Sequence, residues 1–363
     1  MLISKITHFG LKRQTENLKS ELLDATYEAM KEGQFLEGPF TQEFEAWLCK
    51  RTGSKYATLV HSGTQALEFI AKSVREAQRN TNQLIILPNL TYPATLNAFL
   101  NTGWEVELVD TDKNGLLPDN IYGRNAHRCY VGLYGAQAPR GPQSPLPFRG
   151  QGTIIDGAQH WLVADGNTGN TGNTGEAMAI SFDPTKNLPS SGNGGAVVTN
   201  NSYIHDFIEN YKNNGKRKKF LSAGTNSKMS EIDCAHLLVR TKYIDQWQER
   251  RKQIRLYYIE AFKDIPVRCL SEGFERHADQ KFVIYTDQQK KLQYEMTNFG
   301  IETKIHYEQP LSELPVAKNL VKPDFVSVSS MLSRGVLSLP IYPELTDGEV
   351  EYIADRVKLF FAK

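Results

Sequence analysis

Residues 177–200 read AMAISFDPTKNLPSSGNGGAVVTN. Met178 to Phe182 is a short apolar strand, and Ala196 to Thr199 is a second. Gly192, Gly194 and Gly195 between them supply the backbone freedom that a tight return needs. Lys186 therefore sits just beyond a strand end, between Pro184 and Pro189, and not on a mobile tip. Most lysines only solubilise a surface. An amine held at such a place and desolvated near other cations can lose its proton near neutral pH and form a Schiff base with an aldehyde cofactor. What other residues accompany it decides between the two readings.

Outward from this hairpin, strand and helix alternate. TIID (153–156), CYVGL (129–133), EVELV (105–109), LIIL (84–87) and YATLV (56–60) bring the strand count to seven. Most are linked through helices, one of them HSGTQALEFIAKSV, whose Ala66, Leu67, Ile70, Ala71 and Val74 share a face. This is the pattern of an open, mainly parallel sheet covered on both sides, with one strand turned antiparallel by the hairpin. Upstream, helical spacing runs over 16–32 and stops at Gly33. Phe40 to Leu48 starts another helix, with Thr41 as the expected cap. From Ser230 a single long helix is expected to Phe262. Residues 265–363 carry short strands (KFVIYT, ETKIHY) and helices near Gln289–Phe299 and Asp347–Phe361. The expected division is a large α/β domain over 1–245 and a smaller α+β domain over 246–363. The boundary falls within a helix, so little relative motion is expected.

Composition narrows the function. The 363 residues are 40% hydrophobic and 23% charged, ordinary for a protein that buries a core. A formal net charge of +1 gives no pull toward nucleic acid or an anionic membrane. Cys49, Cys129, Cys234 and Cys269 are scattered, without a zinc or disulfide spacing. Reduced thiols, no targeting segment and no membrane span point to the cytoplasm. The repeat GNTGNTGNTG (166–175) reads as a turn-rich solvent loop. The basic run GKRKKF (215–220) reads as a solvated loop, or as a site edge that steers an anionic substrate.

Several strand ends carry chemistry. Ser62-Gly63-Thr64 lies between a strand and a helix start, where free N–H groups and the helix dipole bind phosphate; a plain N-cap is the alternative. Asp156 ends an apolar strand, where a carboxylate needs a cation or a turn to cap. A protonated pyridine nitrogen is such a cation, and the acid makes that ring a better electron sink. Gln159 lies one helical turn on and can meet a ring oxygen. Ser181, on the strand before Lys186, can reach a phosphate. Tyr92, in PNLTYPAT, can stack on a flat cofactor or simply pack. Together these are the parts that hold pyridoxal 5′-phosphate, and no metal set competes.

The chain resembles the DegT/DnrJ/EryC1/StrS family of sugar aminotransferases over nearly its whole length. The resemblance lies in FLEGPFTQEFEAWLCKRTGSKYATLVHSGTQAL, PNLTYPATLNAFLNTGWEVELVDTD, IIDGAQH, SFDPTKNLPSSGNGGAVVTN, NSKMSEIDCAHLLVRTKYIDQWQERR, GIETKIHYEQPL and LSLPIYPELTDGEV. It implies the fold-type I (aspartate aminotransferase-like) architecture of pyridoxal phosphate-dependent transferases. Lys186 resembles the Schiff-base and proton-moving lysine, Asp156 the partner of the pyridine nitrogen, and Gln159 the contact to the ring hydroxyl. Tyr92 falls at the stacking position, and Gly63, Thr64 and Ser181 at the phosphate-binding ones. Asn226 matches an asparagine that reaches the neighbouring subunit's cofactor, which implies a homodimer with shared sites. Asn193, the Pro/Gly-rich 139–152 and the GNT repeat depart from the family pattern, so substrate preference does not transfer from any one relative. Relatives that dehydrate sugars carry histidine at the lysine position, and Lys186 favours amino transfer. The implied reaction moves an amino group from an amino acid, with L-glutamate the expected donor, to a nucleotide-linked keto-sugar, yielding an amino sugar for lipopolysaccharide, other polysaccharide or glycoside biosynthesis. A sugar dehydratase or lyase, or a non-catalytic regulator on the same fold, are the alternatives.

Overall fold

The computed structural model describes residues 5–77, 83–118, 121, 126–137, 153–163, 177–219, 222–320 and 327–362. The Pro/Gly-rich stretch 139–152 and the GNT repeat lie outside them. In chain order come α1 (Leu11–Asn17), α2 (Lys19–Lys31), α3 (Pro39–Thr52), β1 (Tyr56–Val60), α4 (Gly63–Ala77), β2 (Leu84–Pro88), α5 (Pro93–Asn101), β3 (Glu105–Val109), β4 (His127–Val131), β5 (Thr153–Asp156), β6 (Ala177–Ser181) and β7 (Gly195–Thr199). The seven strands form one sheet in the order β1-β7-β6-β5-β4-β2-β3. β7 runs antiparallel to both β1 and β6, and the other pairings are parallel.

Alternation along the strands feeds two cores. Ala177 and Ala179 of β6 join Val197 of β7 and Ile154 of β5 on the face covered by α4 and α5. Met178, Ile180, Val198 and Ile155 point to the other face, where Phe44 and Leu48 of α3 close over them. That both faces are apolar is why these strands read as near-continuous hydrophobic runs. The five apolar residues of α4 singled out by their spacing are all buried in the first of these cores.

The chain continues through α6 (Ser202–Tyr211), α7 (Glu231–Thr241) and α8 (Ile244–Phe262) to a second sheet, β8 (Arg268–Cys269), β9 (Phe282–Tyr285) and, after α9 (Gln289–Asn298) and α10 (Ser327–Gly335), β10 (Val336–Leu339). This sheet has the order β10-β9-β8. It shares a third core with α8, α9 and α11 (Asp347–Phe361), through Tyr258, Phe262, Phe282 and Leu292. α11 opens with a full capping box, Thr346 with Glu349.

Four local expectations change. The long helix from Ser230 is two helices, broken at Lys242–Tyr243, where the Tyr243 N–H turns back to the Arg240 carbonyl at 3.1 Å. ETKIHY forms no strand; only Lys304 bridges to Ser338. The His306 Nδ1 meets the Ser338 hydroxyl at 2.8 Å. β4 ends at Val131 and not at residue 133, because Gly132 begins a turn on which the His160 ring packs; a Cβ at Gly132 would stand 2.0 Å from His160 Nδ1.

The fourth concerns α3. Gly38 is its N-cap and makes no side-chain bond, and Thr41 lies inside the helix. The buried carboxylate of Glu231 does the capping, accepting the N–H groups of Gly38 (2.9 Å), Phe40 (2.8 Å) and Thr41 (3.0 Å), and the Thr41 hydroxyl as well. One acid thus satisfies the free end of a helix about 190 residues away. Glu231→Ala should cost about 3–5 kcal/mol, since several buried donors lose their acceptor together. Urea unfolding measures it; a loss below about 1 kcal/mol would mean that water replaces the carboxylate.

Candidate active site

The strand register brings the proposed phosphate groups together. Gly195 pairs with Val60 on one side and with Ser181 on the other. The turn leaving β1 into α4 therefore passes directly over Ser181. A Cβ on Gly63 would lie 2.7 Å from Ser181 Cβ, and one on Gly195 would lie 2.4 Å from the Ser62 carbonyl carbon. Ser62 Oγ accepts the Gln65 N–H at 3.2 Å, an ordinary helix cap. Both readings of this turn thus hold at once, because a cap on one N–H leaves others of the first turn free. Ser227 fixes the turn from outside, accepting the His61 N–H at 3.0 Å and donating to Gln65 Oε1 at 2.7 Å. The result is a seat of backbone N–H groups and hydroxyls with no Cβ in the way. Gly63→Ala should weaken pyridoxal phosphate retention at least tenfold while leaving the fold intact. Titration of the apoprotein with the cofactor, followed by absorbance, reads this directly.

Asp156 ends β5 and is buried. Thr95 of α5 donates to its Oδ2 at 2.7 Å, and the Ala158 N–H to Oδ1 at 3.1 Å. Burial raises the pKa of this carboxyl; the two hydrogen bonds and the nearby charge of Lys186 oppose the rise. Lys186 keeps partial exposure. Its surroundings still desolvate the amine and lower its pKa, with Asp156 and Asp183 pulling the other way. Asp156 pairs with Ala179 of β6, whose C-terminal end leads into the Lys186 loop, so the acid and the lysine lie at the same end of neighbouring strands.

The lysine loop is clamped. The Lys186 N–H donates to the Asp183 carbonyl at 2.9 Å, and Asp183 Oδ1 accepts the Thr185 N–H, also at 2.9 Å. Gln280, which precedes β9, grips both sides of the lysine. Its Nε2 donates to the Thr185 carbonyl at 2.8 Å, and its Oε1 accepts the Asn187 N–H at 3.0 Å. The second sheet thereby positions a side chain of the first.

Gln159 is buried and held at both ends of its amide. Its Oε1 accepts the Tyr134 N–H at 2.7 Å and its Nε2 donates to the Tyr307 hydroxyl at 2.9 Å. Tyr134 in turn donates its hydroxyl to the His306 carbonyl. Tyr92 is the N-cap residue of α5, three positions before Thr95. Its ring lies 5.8 Å from that of Tyr307 and is 59% exposed. Asn226 stands apart from this cluster, exposed and accepting from Lys228 Nζ at 2.9 Å. Thr95, Tyr134, Gln280 and Tyr307 escape the sequence reading. Thr95 and Tyr307 carried a signal, Thr95 lying in PNLTYPAT one helical turn past Tyr92 and Tyr307 in GIETKIHYEQPL.

These residues fit pyridoxal phosphate. A buried acid calls for a cation, a desolvated amine stands near it, and a glycine-lined seat of donors closes the far end. Among the described residues no group of three or more His, Cys, Asp or Glu side chains could hold a metal ion.

Comparison with known proteins agrees. The model of the DegT/DnrJ/EryC1/StrS aminotransferase family matches residues 16–127 and 143–358. The chain is 28% identical to the erythromycin biosynthesis sensory transduction protein EryC1 of Saccharopolyspora erythraea, over 94% of this chain and 95% of that protein. It is 27% identical to the dTDP-3-amino-3,4,6-trideoxy-alpha-D-glucose transaminase of Streptomyces venezuelae, over 98% and 96% of the two chains. The crystal structure of S. venezuelae DesV in complex with a ketimine intermediate superposes with a TM-score of 0.90 at 26% identity, covering 99% of each chain. The match spans sequence and fold, and the chain belongs to the DegT/DnrJ/EryC1/StrS aminotransferase family as a pyridoxal phosphate-dependent enzyme of fold type I.

Proposed function

We propose that this enzyme transfers an amino group from an amino acid, glutamate by preference, to a keto-sugar carried by a nucleotide. The observation that supports the reading is the buried Asp156 at the end of β5, paired with the strand that leads into the clamped Lys186 loop. Relatives named as transaminases of dTDP- and UDP-linked amino sugars support the substrate class.

Pyridoxal phosphate, when bound, supplies an aldehyde that captures amines and a ring that accepts an electron pair. Lys186 is the residue to hold that aldehyde. Its lowered pKa favours the neutral amine, which takes the proton from the amino donor's Cα and returns a proton in the second half of the cycle. Asp156, fixed by Thr95 and the Ala158 N–H, keeps the ring nitrogen protonated. Gln159 would meet the ring hydroxyl, and Tyr92 would stack on the ring. Gly63, Thr64 and Ser181 would hold the phosphate.

The enzyme works as a homodimer in the cytoplasm, with Asn226 reaching the phosphate in the partner's site. Exposed Leu23, Tyr27 and Met30 follow one another along one side of α2, with Phe35 and Leu36 exposed just beyond it, an apolar surface suited to a second copy. The exposed basic turn at Lys216–Lys218 is placed to attract the nucleotide's phosphates. Residues 1–245 and 246–363 act as the large and small domains. The test is incubation with isotopically labelled glutamate and a panel of nucleotide-linked keto-sugars. Labelled nitrogen in the sugar is the expected result; a sugar that loses a hydroxyl and gains no nitrogen would make the enzyme a dehydratase.

A further inference from the structure

Lys281 is a second lysine at this site, and the reaction above leaves it unused. It immediately precedes β9, and its backbone N–H donates to the Tyr134 carbonyl at 3.0 Å, one residue from the clamp Gln280. The residue is only 5% exposed. Among the described residues its ammonium makes no hydrogen bond and no ion pair. The contact it has is the face of Phe9, at 5.6 Å from the ring centroid.

Its electrical neighbours are mostly of its own sign. Burial lowers its pKa most, Lys186 and Arg251 lower it further and Asp183 pulls it up, which brings the amine to about 7. Asp183 is already occupied by Thr185, and Arg251 by the carbonyls of Ile341 and Asp279. His8 and His306 lie close enough to feel the Lys281 charge, and both are held neutral by burial and by that charge, His8 down to about 3. His8 Nδ1 also has no partner. A buried ammonium without a counter-ion is costly, and buried charges are as a rule paired. Asp183 is thus engaged elsewhere, and Lys281 stands beside the site: its neighbour Gln280 grips both sides of Lys186, and Tyr134, to whose carbonyl it donates, is bonded to Gln159.

We propose that Lys281 seats a carboxylate of a substrate bound at Lys186. Both substrate classes can bring one: the amino donor always does, and a keto-sugar does if it is a uronic acid. The inference deepens the aminotransferase reading and rests on it for the identity of these substrates. Lys281 is then a specificity-determining residue, and Phe9 holds its ammonium until the anion arrives.

The test compares the wild-type holoenzyme with Lys281→Met, which keeps length and loses charge, and with Lys281→Arg. Calorimetry with succinate and with glucuronate reads the seat without turnover, so its outcome does not depend on amino transfer. At least one probe should bind Lys281→Met tenfold or more weakly than wild type, with Lys281→Arg recovering most of the loss. Half-reaction kinetics then give the source. A raised half-saturation for glutamate, with the limiting rate changed less than about threefold, assigns the seat to the donor; the same shift for a keto-uronate but not a neutral keto-sugar assigns it to the sugar. Equal binding of both probes to wild type and to Lys281→Met would overturn the proposal. Failure of wild type to aminate any sugar would instead overturn the functional reading above.

Discussion

Lys186→Ala should lose amino transfer by roughly 10³-fold or more, because it removes the group that holds the aldehyde and the base that moves the proton at once. The purified variant should also lack the visible absorbance of the wild type, or bleach only slowly with glutamate. Stability should hold or rise. The loop is fixed by Gln280 and by the turn on Asp183, neither of which uses the lysine side chain. Removal of a desolvated amine also relieves the strain recorded in its lowered pKa. A variant that folds, binds the cofactor and still turns over at a tenth of the wild-type rate would remove Lys186 from the mechanism.

Asp156→Asn should lower kcat by about 10²–10³-fold, the scale of losing a preorganised electrostatic contact in a water-poor site. The amide oxygen still accepts the Ala158 N–H while its NH2 donates to the Thr95 hydroxyl, which turns to accept, so geometry is kept while charge is lost. Burial already disfavours the ionised carboxyl here. The neutral variant should therefore melt at or above the wild-type temperature while its activity collapses. Activity and stability that fell together would mark Asp156 as a structural cap.

Much of this was legible because the decisive residues stand at strand ends in short contiguous motifs. Met178 and Ile180 alternate with Ala177 and Ala179, the glycines return the chain, and Gly195 then has to pair with both Val60 and Ser181. Once that pairing exists, Gly63 meets Ser181 without further information. What escaped depends on partners far apart in sequence. Glu231 caps α3, Thr95 grips Asp156 and Gln280 clamps the lysine loop, all through single side chains that local patterns cannot pair. Thr41 had the chemistry of a cap but lies inside the helix it was expected to open. The break between α7 and α8 has no proline or glycine to announce it.

The central claim is that the Lys186 amine is the one joined to the cofactor aldehyde. Borohydride reduction of the holoenzyme followed by peptide mass mapping tests it most directly. A phosphopyridoxyl group on the peptide carrying Lys186 is the expected result. The same group on Lys281, or on no lysine, would contradict the account.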